Sequence, residues 1–154
     1  MKKKFLSLGT AFLIALSIGT QPLNVSASEM DSELQYEEND FEKAGGLISK
    51  YYLSIAEVDG KVAITAQTKS NSVMAVIGFK NISVQRSPNG YSSWTEETTV
   101  PDQLNYNSTS KTLSDYLVNV SGRCYYRVQL DHYADNGSGS TQSVPNTSNV
   151  IWIS

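Results

Sequence analysis

Cys124-Tyr125-Tyr126-Arg127-Val128-Gln129-Leu130-Asp131 carries a period of two. That period marks a strand with one face on a core and the other in water. It sets Cys124, Tyr126, Val128 and Leu130 inward and Tyr125, Arg127, Gln129 and Asp131 outward, with Tyr133 sharing the outward parity. Ser121-Gly122 precedes this strand as a turn, and residues 135–140 follow it as a glycine-serine loop.

The same alternation recurs on the N-terminal side. Tyr51, Leu53 and Ile55 alternate with Tyr52, Ser54 and Ala56, and Asp59-Gly60 then supplies the positive φ of a two-residue hairpin turn. Val62, Ile64 and Ala66 form the returning strand. Residues 67–72 read as a polar loop, and 73–77 as an apolar run that fits a helical turn or a strand entry. Ile82 and Val84 mark a third strand, Ser87-Pro88-Asn89-Gly90 a turn, and residues 94–99 a fourth strand. Residues 101–110 read as loop, 112–120 as a fifth strand and 149–153 as the last. About seven short strands, frequent turn signals and no long helix predict an all-β fold, an antiparallel β-sandwich. No repeat of 20 to 50 residues is present.

The N-terminus has a different composition. Lys2-Lys3-Lys4 is followed by an apolar run through Ile18, then Thr20-Gln21-Pro22 and the small-x-small site Val25-Ser26-Ala27. These are the parts of a cleavable secretory signal, and the apolar run is short for a spanning helix. Residues 1–27 are therefore expected to be removed, releasing an extracellular protein with no membrane anchor. The remaining chain has nine basic residues against fifteen acidic ones, a net charge of −6. Such a chain repels phosphate backbones and anionic membrane surfaces, so nucleic acid is not an expected partner. Residues 28–45 hold seven acids and few large apolar groups, which predicts a disordered acidic leader. Residues 46–154 form the predicted sandwich domain. With one cysteine, Cys124, no internal disulfide is available, and the core must hold the fold unaided.

The segment from Ile82 through Ser87-Pro88-Asn89-Gly90 to Trp94-Thr95 resembles the strand, turn and tryptophan hairpin of bacterial fibronectin type III-like domains. Leu113 to Val128, with Gly122 and Tyr126-Arg127-Val128, resembles that family's next strand, corner glycine and tyrosine-arginine-valine strand. Asn136-Gly137 and Ser148-Asn149-Val150 resemble its closing loop and last strand. The tryptophan usual on the family's second strand is absent, and the corner is one residue shorter. The chain as a whole resembles small secreted proteins of Gram-positive bacteria. The resemblance implies a fibronectin type III-like or immunoglobulin-like sandwich used for binding or spacing.

Most catalytic chemistries lack their residues. His132 is the only histidine, no nucleophile-elbow motif accompanies it, and it reads as a strand-end surface residue. Cys124 reads as a buried core thiol from its parity. One histidine and one cysteine cannot build a zinc site. Asp131, Asp135 and Asn136 lie beside Gly137 but lack EF-hand spacing, and turn chemistry accounts for them. Glu96 and Glu97 are adjacent on a strand, so they face opposite sides. No catalytic residue, metal or cofactor is therefore expected. The informative residues are aromatic. Beyond residue 27 the chain has nine tyrosines and two tryptophans against two phenylalanines. Tyrosine and tryptophan suit half-wet contact surfaces. Tyr91 and Trp94 at the hairpin tip, Tyr106 in the predicted loop, and Tyr125 and Tyr133 on the outward face are the candidate ligand-binding residues. The expectation is a non-enzymatic extracellular binding or adhesion module whose partner is a surface glycan or protein. The alternatives are a small secreted hydrolase or inhibitor using loop carboxylates, and self-association through an outer strand edge.

Overall fold

The computed structural model describes residues 42–154; the predicted export signal and the leader up to residue 41 lie outside them. The described chain is all-β and antiparallel, with no helix among the described residues. Its strands are β1 (Glu42–Lys43), β2 (Lys50–Val58), β3 (Lys61–Ser87), β4 (Thr95–Val100), β5 (Gln103–Asn119), β6 (Cys124–Asp135), β7 (Thr141–Thr147) and β8 (Ile151–Ile153). All eight belong to a single hydrogen-bonded sheet.

The organising element is β3, 27 residues long. Its first half pairs with β2 on one edge and with the C-terminal part of β5 on the other. Its second half pairs with β6 on the first edge, and with β4 and the start of β5 on the second. The register of β3 against β5 breaks between Lys69 and Met74. Across this irregular stretch the strand turns, and the sheet curls so that its two halves share a core. Leu53 and Ile55 of β2, Val62 and Ile64 of early β3, Phe79, Ile82 and Val84 of late β3, Leu113 of β5, and Tyr126, Val128 and Leu130 of β6 all belong to that core. A smaller cluster of Ile48, Met74, Ile77 and Ala134 lies beside the bend.

Two segments depart from the sequence reading, and the structure decides a third that the sequence left open. Residues 67–72 and 103–110 are strand rather than loop, and 73–77 settles as strand. Polar side chains hid them, because a bulged stretch of a long strand need not alternate. Residues 141–147 form an edge strand, β7, that carries Pro145 and has no apolar alternation. The last two residues before Ala44, Glu42 and Lys43, pair with Tyr51 and Lys50.

Side chains close the curled sheet along two seams. On one, Asn149 Oδ1 accepts the Ile55 N–H at 2.9 Å while its Nδ2 donates to the Ile55 carbonyl at 2.9 Å. Ser148, the preceding residue, exchanges bonds with both backbone groups of Val128. This pair joins the connection between β7 and β8 to β2 and β6. On the other seam, Glu97 of β4 accepts the Ser121 N–H at 3.0 Å and its hydroxyl at 2.5 Å, and pairs with Arg86 at 3.1 Å. The Ser121 hydrogen bonds hold the Glu97 carboxyl below its usual range.

Candidate ligand-binding face

The outward parity of β6 builds the site. Residues opposite one another in an antiparallel sheet share a face. Tyr125 faces Trp152 of β8, Arg127 faces Gln85 of β3, Gln129 faces Ser83 and Thr147, and Asp131 faces Lys80 and Pro145. Gly78 and Ser143 flank Tyr133. One face of the sheet thus carries an aromatic group at each end and polar groups between.

At the β8 end, Tyr125 and Trp152 meet edge to face, ring centroids 4.9 Å apart. Trp152 keeps 49% of its surface exposed. The turn after β3 folds over this end. A Cβ on Gly90 would come within 2.9 Å of the Tyr125 ring, and Gly90 has φ +78°, so the close approach depends on glycine. Local polar groups fix the turn itself. The buried Ser87 hydroxyl donates to the Ser92 carbonyl and accepts the Gly90 N–H, and Asn89 Oδ1 accepts the N–H groups of Tyr91 and Ser92. The turn therefore presents Tyr91, 82% exposed, from an ordered base. Trp94 closes the turn by lying on the Arg127 guanidinium, 4.3 Å from its ring centroid.

A hydrogen-bonded ladder runs across the middle of the face. Arg127 Nε donates to Gln85 Oε1 at 2.8 Å, Gln85 Nε2 donates to Gln129 Oε1 at 2.8 Å, and Gln129 Nε2 donates to Thr147 Oγ1 at 3.3 Å. Beside it Ser83 Oγ donates to Glu96 at 2.9 Å, and Asn81 Nδ2 donates to Asp131 at 2.7 Å. The side chains thus hold one another in place, while the amides and guanidinium keep further donors. Asn81, with φ 53°, sits where the register of β3 against β6 breaks between Lys80 and Ser83. Next to this bulge a cleft of about 260 Å³ opens, lined by Asn81, Ser83, Gln129, Asp131 and residues 145–147. Beyond it Lys80 Nζ lies 3.5 Å from the centroid of the Tyr133 ring.

Of the residues singled out from sequence, Tyr91, Trp94 and Tyr125 gather at one end of this face, and Tyr133 stands at the other. Tyr125 packs between Trp152 and Gly90, which makes it a support for the exposed rings. Tyr106 is in strand β5, not a loop, paired with Val76 and 68% exposed. It stands apart from the Trp94 and Trp152 cluster. Trp152 was missed, although Ile151-Trp152-Ile153 alternates and places its indole outward.

Two further expectations change. His132 is fully buried, not on the surface. Inward parity continues from Leu130 through it to Ala134, so the pattern of β6 itself contains this result. Cys124 is a free thiol, half-buried against the edge of the core. Asp135 accepts the Gly137 N–H, and Asn136 those of Ser138 and Ser140, so both carboxamide and carboxylate serve their turn. Among the described residues no three His, Cys, Asp or Glu side chains group as metal ligands. No protein-family model, curated protein or solved structure matches this chain.

Proposed function

We propose that the protein is a secreted, non-enzymatic binding module that holds a glycan on the outer face of β6. The observation that carries this reading is the pre-ordered polar ladder of Arg127, Gln85, Gln129 and Thr147, continuous with the Trp94, Tyr91 and Trp152 rings. Sugar rings offer apolar C–H faces that stack on aromatic planes and hydroxyl edges that meet amides and carboxylates. Side chains fixed in advance lose little entropy on binding. A protein ligand would favour a broader apolar centre than this narrow, largely polar strip provides. Secretion follows from the basic, apolar and small-residue order of residues 1–27.

The finer reading of the fold belongs to the same proposal. Divided at its bend, β3 supplies two strands. One layer then runs β2, early β3, late β5, and the other runs late β3, β6, and β7 with β8. These orders correspond to A-B-E and C-F-G in a fibronectin type III-like or immunoglobulin-like sandwich. Tyr126, fully buried, donates from its hydroxyl to the Gly122 carbonyl four residues upstream, the contact of a tyrosine corner.

The test is co-sedimentation with insoluble polysaccharides and isolated cell walls, comparing the wild type with Trp152→Ala, Trp94→Ala and Tyr106→Ala. Pelleting of the wild type and Tyr106→Ala, with loss in both tryptophan variants of intact fold, is the expected result. Equal loss in Tyr106→Ala, or pelleting untouched by either tryptophan change, removes the site from this face.

A further inference from the structure

We infer that the ligand is a linear, uncharged polysaccharide lying along β6, with one stretch on the Trp94–Trp152 rings and the next in the cleft at Asp131. This rests on the glycan reading above and adds the ligand's length, direction and charge. The rings and the cleft occupy one strip of one strand face. Tyr125 and Asp131 are six residues apart on β6, which at about 3.3 Å per residue spans roughly 20 Å, long enough for roughly four sugar units.

The two halves of the strip differ in chemistry in a way that suits one continuous chain. The ring half offers planes: Trp152 and Tyr91 are open, and Arg127 supports Trp94 from one side. The cleft half offers hydrogen-bonding groups: the amides of Asn81 and Gln129, the hydroxyls of Ser83 and Thr147, and the Asp131 carboxylate. A carboxylate accepts from two hydroxyls at once, which suits a vicinal diol. Asp131 holds only the Asn81 amide through Oδ2, and no hydrogen bond to its Oδ1 occurs among the described residues. Pro145 removes one backbone donor from the edge strand, so the rim of the cleft at that position cannot pair with an added strand as a peptide would require. Beyond residue 27 the chain is net −6, and the cleft itself carries a carboxylate with no cation among its lining residues. Arg127 and Lys80, the cations of the strip, are offset by Glu96 and Asp131, so the strip offers a polyanionic chain no net attraction against the negative charge of the whole.

Calorimetric titration with ladders of β-1,4-linked glucose, mannose and N-acetylglucosamine, from disaccharide to hexasaccharide, tests this. Affinity for one ladder is expected to rise at least tenfold between disaccharide and pentasaccharide and then level off. Asp131→Ala and Asp131→Asn, the second keeping the size of the side chain, should remove most of that gain while leaving the disaccharide affinity unchanged. Full affinity already at the disaccharide, or a gain indifferent to both substitutions, overturns the extended ligand and leaves the aromatic site standing. Preference for a sulfated or uronic-acid chain over all three neutral ladders overturns the charge assignment. Failure of every ladder and of the parent polymers overturns the glycan reading as well.

Discussion

His132 Nδ1 lies 2.7 Å from Thr68 Oγ1, and that hydroxyl lies 3.3 Å from the Gly78 carbonyl. The carbonyl can only accept, so Thr68 donates to it and accepts the Nδ1–H. This assigns the tautomer and leaves Nε2 as a bare acceptor without a partner, among the rings of Tyr51 and Phe79. An unpaired acceptor costs less there than a charged ring, and burial lowers the imidazole from 6.5 to about 3. The unfolded chain takes up its proton below 6.5 and the folded one does not. Stability is therefore full above pH 6.5 and falls toward pH 3 by about 1.4 kcal/mol per pH unit, on the order of 5 kcal/mol in all. Glu97 acts in the same direction lower down, since its contribution is lost as pH falls through its depressed range. Denaturant midpoints measured from pH 7 to 4 should drop for the wild type and stay nearly level above pH 5 in His132→Leu. An unchanged slope in the variant would place the acid sensitivity elsewhere. The burial of His132 was legible in the parity of β6; its partner was not, because Thr68 sits in a stretch whose polar composition reads as loop.

At the scale of elements, the long bent strand is what alternation conceals. The Thr68–Gly78 contact spans the bend in β3, and His132 ties it to β6, so one polar chain fixes the fold line of the sheet. Gly78 faces β5 so closely that a Cβ would strike the Gln103 carbonyl. Gly78→Ala should thus force β3 and β5 apart and cost about 2–3 kcal/mol, measured by chemical denaturation, and a loss under 0.5 kcal/mol would show that the strands yield there. The seam residues are a second case. Asn149→Ala leaves both backbone groups of Ile55 without their side-chain partner, and about 1–2 kcal/mol should be lost. Asn149→Asp keeps the acceptor but no donor, and should recover none of the Ile55 carbonyl's share. Hydrogen exchange at the Ile55 amide reads the seam directly: faster exchange in Asn149→Ala is expected, and unchanged protection would mean that β2 is held without it. Hairpin turns and regular strands were readable because turn residues and a period of two are local signals. Bulges, an edge strand with proline and seams made by single side chains depend on distant partners, and no local pattern announces them.

For the whole molecule, the curled sheet has a division of labour. The inner faces are apolar, two seams close the sides, and the outer face of β6 is an ordered aromatic and polar strip. The tyrosine and tryptophan excess pointed to such a surface, and the outward parity of β6 placed Tyr125 and Tyr133 on it. The turn that brings Trp94 over Arg127, and the pairing of Trp152 with Tyr125, emerge only from the fold. Both of the protein's tryptophans lie on this strip. That makes a two-dimensional nitrogen–proton NMR titration the most direct measurement. The spectrum should contain two indole N–H signals, one from Trp94 and one from Trp152, assigned with Trp152→Phe. On addition of a bound oligosaccharide both should shift together with the side-chain amides of Gln129 and Asn81, while the backbone amide of Tyr106 stays in place. Saturable binding that leaves both indole signals unmoved would contradict the account, because the ligand would then sit on another surface.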